Sequence, residues 1–173
     1  MNNELSRSLK HIGWVLLIGL VFSCNSNDEV RLAPYKFPIE HFDSLVRSKQ
    51  VILDQTLRED GSLKERRYYL ADTVKFIMEY NRQGELMSVV KFDKSGKELW
   101  QENYFPSGQR MAHYDKFVNE KTGVSEFHGN YKAYYESGYL KEKGVYEHDM
   151  QKWVITYDQE GNSGDTIVYE MPK

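Results

Sequence analysis

Six glycines, at 61, 84, 96, 108, 138 and 161, each close a short polar stretch: REDG, NRQG, DKSG, FPSG, YESG and DQEG. They are spaced 23, 12, 12, 30 and 23 residues apart. Four residues before them stand Leu57, Tyr80, Phe92, Tyr104, Tyr134 and Tyr157; eight after stand Tyr69, Phe92, Tyr104, Lys116, Tyr146 and Tyr169. A tight turn whose last residue needs a positive φ selects glycine, because any Cβ would clash there. A type I turn ending in such a glycine makes the common bulged hairpin. The rhythm therefore predicts a half-buried antiparallel meander of hairpins. It leaves little room for any other fold class.

Strict alternation carries the expectation further. Even offsets from Gly138 are Tyr134, Leu140, Glu142, Gly144 and Tyr146; around Gly84 they are Tyr80, Leu86, Ser88, Val90 and Phe92. Each set should share one face, with Lys141, Lys143, Glu85 and Lys91 on the other. Upstream, Ile39, Phe42, Leu45 and Val46 fall at helical spacing behind Pro38, which suits a first turn. VILDQTL, from Val51, then reads as the first strand.

The amino terminus sets the location. Arg7 and Lys10 precede an uncharged apolar run from Ile12 to Phe22, the layout of a secretory signal. As a helix it would span roughly 16 Å, about half the hydrocarbon thickness of a bilayer. The run ends in VFSC, and Cys24 is the sole cysteine, so no internal disulfide framework exists. VFSC resembles a bacterial lipobox, which implies thiol alkylation with diacylglycerol, cleavage before Cys24 and acylation of the new amino terminus. At about 0.8 kcal/mol per buried methylene, several acyl chains hold a protein at a membrane almost permanently. Asn25 after the cysteine resembles outer-membrane sorting in enterobacteria, and Asp28-Glu29 resembles the surface-export signals of Bacteroidota lipoproteins. The expected location is the cell envelope of a Gram-negative bacterium, at the outer membrane, facing the periplasm or the surface.

The expected organisation is a lipoprotein signal peptide over 1–23, a tether over 24–37, a short helix and first strand over 38–56, and hairpin repeats over 57–173. The 40% hydrophobic and 28% charged content is that of an ordinary folded domain. The net charge of −3, with no basic run longer than Arg66-Arg67, excludes an electrostatic footprint for nucleic acid.

The stretch from Gly129 to Asn162, GNYKAYYESGYLKEKGVYEHDMQKWVITYDQEGN, resembles the MORN-variant repeat found in tandem in bacterial lipoproteins and in proteins named after the YwqK-type antitoxin. Tyr131, Tyr134, Gly138, Leu140, Gly144, Tyr146, Lys152 and Trp153 match that pattern, and Gln151 replaces its glycine before Lys-Trp. The resemblance implies an elongated, single-layer, all-β array of hairpins (MORN-like). It also implies a binding or scaffolding part rather than a catalyst, and the antitoxin label implies neutralisation of a toxin by direct contact.

Chemistry is thinly signalled. His41, His113, His128 and His148 are scattered, with no His-x-x-x-His and no Cys-x-x-Cys, so zinc spacing is missing. His148-Asp149 has two readings, a solvated turn or part of a metal site. There is no nucleophile elbow and no phosphate-cradling loop. No cofactor is expected. Binding could be carried by the stretch Phe117 to Gly129, read as a protruding loop, by the tyrosine-bearing sheet face, or by the unpaired sheet edge. The candidate binding residues are Tyr104, Phe127, His128, Tyr134, Tyr146 and Trp153. The leading expectation is a non-enzymatic, lipid-anchored protein that binds another envelope protein. The alternatives are an antitoxin, or a glycan-binding or enzymatic envelope protein.

Overall fold

The computed structural model of the chain describes residues 36–48 and 51–170. The signal segment, Cys24 and the tether up to residue 35 lie outside the described residues. A short helix, α1 (Ile39–Arg47), precedes ten strands: β1 (Ile52–Leu57), β2 (Leu63–Leu70), β3 (Thr73–Tyr80), β4 (Leu86–Phe92), β5 (Glu98–Tyr104), β6 (Arg110–Val118), β7 (Ser125–Tyr134), β8 (Leu140–Glu147), β9 (Met150–Tyr157) and β10 (Ser163–Val168). They form one open antiparallel sheet in sequence order, the expected meander. No helix among the described residues is long and apolar enough to cross a membrane.

The glycines do what their spacing predicts. At the second glycine-closed stretch, as at the other five, two backbone bonds close the reversal: Asn81 N–H donates to Glu85 O (2.9 Å) and Gly84 N–H to Asn81 O (3.2 Å), with Gly84 at φ +82°. Equivalent bonds surround Arg58, Asp93, Phe105, Tyr135 and Asp158. Successive turns of a meander fall on alternate rims, so Gly61, Gly84, Gly108, Gly138 and Gly161 share one rim, each separated by two strands. Arg58 bonds that rim laterally, donating to Leu63 O (2.5 Å), Tyr80 O and Asn81 O (3.3 Å). Tyr135 OH does the same for a later pair, donating to Tyr157 O at 2.9 Å.

Open space surrounds the Cβ position of Gly84. Gly84→Ala should therefore cost only the left-handed backbone penalty, about 1–2 kcal/mol, and Gly84→Asn less, because asparagine tolerates that region. Urea midpoints of the two variants check the order.

Two reversals on the opposite rim use no glycine. Ala71-Asp72 (φ 49°, 62°) and His148-Asp149 (φ 52°, 64°) are two-residue turns with both residues left-handed, the type I′ hairpin geometry. Asp149 is also clipped to β7: its Oδ1 accepts from Phe127 N–H at 2.6 Å, and its own N–H donates to Phe127 O at 3.0 Å.

The protruding loop expected over Phe117 to Gly129 is not formed. Phe117 and Val118 end β6, Ser125 to Gly129 belong to β7, and only Asn119 to Val124 turns, closed by Asn119 N–H to Val124 O at 2.9 Å. The 30-residue interval instead comes from longer strands, since Lys116, Phe117 and Val118 pair with Phe127, Glu126 and Ser125.

Nor does one face collect every even offset. Tyr80 lies opposite Leu86 but Glu79 lies opposite Ser88, so Met87 is an extra, bulged residue. Beyond it the alternation is inverted: Val89 and Lys91, not Ser88 and Val90, share the face of Tyr80. The same shift at Lys141 places Tyr134 and Leu140 on one face and Glu142, Gly144 and Tyr146 on the other. Met87, Leu99 and Met111 are the extra residues of three hairpins, and all three are exposed, because a bulged side chain has no cross-strand neighbour to cover it.

The core follows from these faces. A nine-residue helix is marginal alone, and α1 is held by laying Ile39, Phe42 and Val46 on the sheet. Phe42 meets Phe76 at 4.7 Å and Tyr68 at 5.5 Å between ring centroids. Phe37, at the end of the expected tether, is buried in the same cluster against Tyr104. Tyr68, Met78 and Val89 beneath are wholly buried. Burial, outweighing the neighbouring Arg66, pushes the Tyr68 hydroxyl up to about 12, and that hydroxyl donates to Asp43 of α1 at 3.1 Å.

Candidate binding site

A second apolar cluster lies on the other side of the sheet. Tyr104 pairs with Arg110 and its neighbour Asn103 with Ala112, so Ala112 points away from the helix-covered face. Ala112 pairs in turn with Ala133, Tyr114 with Tyr131, Tyr131 with Gly144 and Gly129 with Tyr146. These registers gather Tyr114, Phe127, Tyr131 and Tyr146 on the open face. Ring centroids are 4.6 Å apart for Tyr114 and Phe127, 5.0 Å for Tyr114 and Tyr131, and 5.5 Å for Tyr131 and Tyr146. No described helix covers them.

The cluster borders a hollow because its floor is small. The Ala112–Ala133 pair lies between the Tyr114–Tyr131 rings and the hairpin tips, leaving a cavity of about 360 Å3 lined by Phe105, Met111, Ala112, Tyr114, Tyr131 and Ala133 among others. Burial raises the Tyr114 hydroxyl above its ordinary value, as does the proximity of Tyr146 and Glu142. Burial raises Tyr131 as well, reinforced by its 2.8 Å hydrogen bond to Glu142 Oε2. These tyrosines are neutral at any physiological pH, so the rings offer aromatic surface with hydroxyl handles, while Glu136 and Lys141 bring one charge of each sign to the lining.

The six residues singled out from sequence do not form one site. Phe127 and Tyr146 join the open-face cluster. Tyr104 and Tyr134 are buried on the helix-covered face, Tyr134 beneath the Arg110 guanidinium at 5.6 Å from its ring centroid, and Tyr134 also contributes to the lining of the hollow. Trp153, opposite Val145, faces the same side farther along and is half-buried. His128 sits 5.1 Å from His148 and 5.4 Å from Phe117 between ring centroids. His148 Nδ1 lies 2.6 Å from Glu126 Oε2, so two histidines separate in sequence do meet. Among the described residues no group of three or more His, Cys, Asp or Glu is placed to hold a metal ion.

Sequence reading missed a polar network on the helix-covered face beyond α1. Glu102, 3% exposed, accepts from Tyr104 OH at 2.5 Å and from Arg110 Nη1, and His113 Nδ1 lies 3.2 Å from it. His113 Nε2 is 3.3 Å from Asp115 Oδ1, while Asp115 Oδ2 accepts from the backbone and side-chain nitrogens of Asn130 at 3.0 and 3.1 Å. Burial alone would raise the Glu102 carboxyl, but the hydrogen bonds of His113 and Tyr104 and the Arg110 charge together hold it below its ordinary value. The signal was a glutamate two residues before Tyr104, at a position whose alternation puts it inward.

No family model matches the chain, and no curated protein matches it. Among solved structures, the chain resembles a complex of accessory secretory proteins 1, 2 and 3 from Streptococcus pneumoniae at 8% identity and a TM-score of 0.40, over 60% of this chain and 18% of that one. It resembles a GtfA/B complex bound to UDP and GlcNAc at 14% identity and a TM-score of 0.43, over 68% of this chain and 24% of that one. A protein of unknown function from Bacteroides fragilis is 9% identical at a TM-score of 0.24, over 69% of this chain and 92% of that one. The chain thus spans a quarter or less of the length of the first two.

Proposed function

We propose that this is a lipid-anchored protein of the bacterial envelope, fixed through Cys24, whose hairpin sheet binds another envelope protein through the open-face aromatic hollow. The observation that carries the reading is the asymmetry of cover: α1 shields one face of the early strands, while the ring cluster on the opposite face of β6, β7 and β8 has no described element over it. A hollow of about 360 Å3 with an alanine floor and tyrosine walls suits an aliphatic or aromatic side chain of a protein segment. The resemblance to tandem repeats of bacterial lipoproteins supports a binding part over a catalyst.

The test is affinity capture from solubilised envelopes with the Cys24→Ser protein, run beside Ala133→Leu, which fills the hollow, and Lys64→Gln, a distant surface control. Reproducible recovery of one protein, retained by Lys64→Gln and reduced at least tenfold by Ala133→Leu, is the expected result. Equal recovery by all three, or oligosaccharide binding with no protein recovered, would overturn the reading. A recovered protein that is toxic when expressed alone would narrow it to an antitoxin.

A further inference from the structure

The sheet ends in two edges, β1 and β10, and neither has a second neighbouring strand among the described residues. Native sheets guard such edges with lysine, proline, bulges or inward charge, because a bare row of backbone N–H and C=O groups templates pairing with another chain. The two edges differ in this respect. β10 exposes Ile167 and Val168, but its register against β9 shifts between Ser163 and Thr166, over a stretch that contains Gly164 and Asp165. β1, ILDQTL, contains no lysine, arginine, proline or glycine, and pairs in unbroken register from Ile52 to Thr56 against Tyr69 to Glu65. The extra residue of its hairpin, Lys64, belongs to β2. Ile52 and Leu57, at its two ends, are 62% and 59% exposed. Its one charge, Asp54, lies opposite Arg67 on β2.

The residues of β1 also suit a copy of themselves. Opposite residues of an antiparallel pair point to the same face, so a two-fold axis normal to the sheet has to pass through a residue rather than between two. Two such registers overlap five of the six residues of β1. An axis at Asp54 sets two carboxylates directly against each other, which opposes pairing. An axis at Gln55 sets Gln55 opposite its own copy, Asp54 opposite Thr56 and Leu53 opposite Leu57. Leu53 and Leu57 share the helix-covered face, since Leu53 packs on the α1 cluster and Leu57 pairs with Leu63 of that cluster. Each leucine pair removes exposed apolar surface from water, and each Asp54 carboxylate gains a facing hydroxyl donor.

We infer that two copies of this chain associate edge to edge through β1, antiparallel about an axis at Gln55, which joins their sheets and keeps both open-face hollows on the same side. The contact consists of backbone bonds and two leucine pairs, so it belongs to the small, reversible class of interfaces. It lies at the sheet edge and does not rest on the reading given for the hollow.

The test uses the full chain with Cys24→Ser, which leaves no cysteine to join copies. Sedimentation equilibrium over a concentration series is expected to give a monomer–dimer equilibrium that Leu57→Lys weakens at least tenfold. Val168→Lys, on the opposite edge, is expected to leave it unchanged, and both exposed-site variants to keep the parental urea midpoint. Gln55→Cys in the same background is expected to form a disulfide-linked dimer on mild oxidation, because residues facing each other across antiparallel strands lie about 4.5–5.5 Å apart at Cα, within disulfide reach. Thr166→Cys on β10 is expected to stay unlinked. A chain that remains monomeric up to about 1 mM, linkage through position 166 rather than 55, or dimers lost with Val168→Lys but kept with Leu57→Lys would each overturn the inference.

Discussion

Glu102→Gln is expected to destabilise the protein by about 3 kcal/mol at pH 7, the lower end of the range for breaking a buried ion pair from one side. The side chain is almost wholly enclosed, and its removal as a charge leaves the Arg110 guanidinium in a poorly hydrated site without its counter-ion. Arg110 keeps some contact with solvent, which is why the lower end applies. Replacing Arg110 in the same background, as Glu102→Gln with Arg110→Met, should restore part of the loss, because the guanidinium that no longer faces the Glu102 charge goes with it. The acid limb carries the sign. The folded-state Glu102 carboxyl lies below its ordinary value of 4.5, so its contribution is fully present above that pH and disappears as pH falls through the folded value. The stability difference between parent and Glu102→Gln should be flat above about pH 5 and shrink below about pH 4.5. Urea unfolding at a series of pH values measures it. A difference that grows toward acid would contradict the network described.

Gly144→Ala is the second large effect, and its cause is different from that at the turns. Gly144 pairs with Val154, and a Cβ on it would fall far inside contact distance of the Trp153 carbonyl oxygen, with Val154 Cα close behind. Both neighbours are backbone, so no side chain can swing aside. β8 and β9 have to separate locally, where Val145 meets Trp153 and Lys143 meets Ile155. The cost should reach about 3 kcal/mol, the upper part of the range for overpacking, against the smaller backbone penalty at Gly84. Hydrogen exchange should show the β8 and β9 amides losing protection first. Equal stability of Gly144→Ala and Gly84→Ala would show that the sheet has slack at this crossing.

Much of the architecture was legible because it is local. A reversal that needs φ near +82° marks itself with glycine at Gly84, and the helix marks itself by the spacing of Ile39, Phe42 and Val46. The turn at Ala71-Asp72 was not legible, because left-handed geometry there is carried by residues that adopt many other conformations elsewhere; at His148-Asp149 the turn was one of two readings, and it is the one formed. The site was harder still. Phe127 and Tyr146 were recognisable as ring-bearing strand positions, yet Ala112 and Ala133, which make the hollow, carry no signal except their smallness. Glu102 reads as one more charged residue until its neighbours close over it.

By itself the sequence determined the six glycine-closed turns and the antiparallel, all-β character of the domain, because each glycine-terminated turn is decided within four or five residues of chain. Only the tertiary structure decided which face each side chain joins, since a single bulged residue such as Met87 or Lys141 inverts every position after it. It also decided that α1 covers the early strands on one side while the tyrosine cluster gathers on the other. That division rests on contacts between residues far apart in the chain, such as Phe42 with Phe76 and Tyr114 with Tyr146, and no local pattern encodes them.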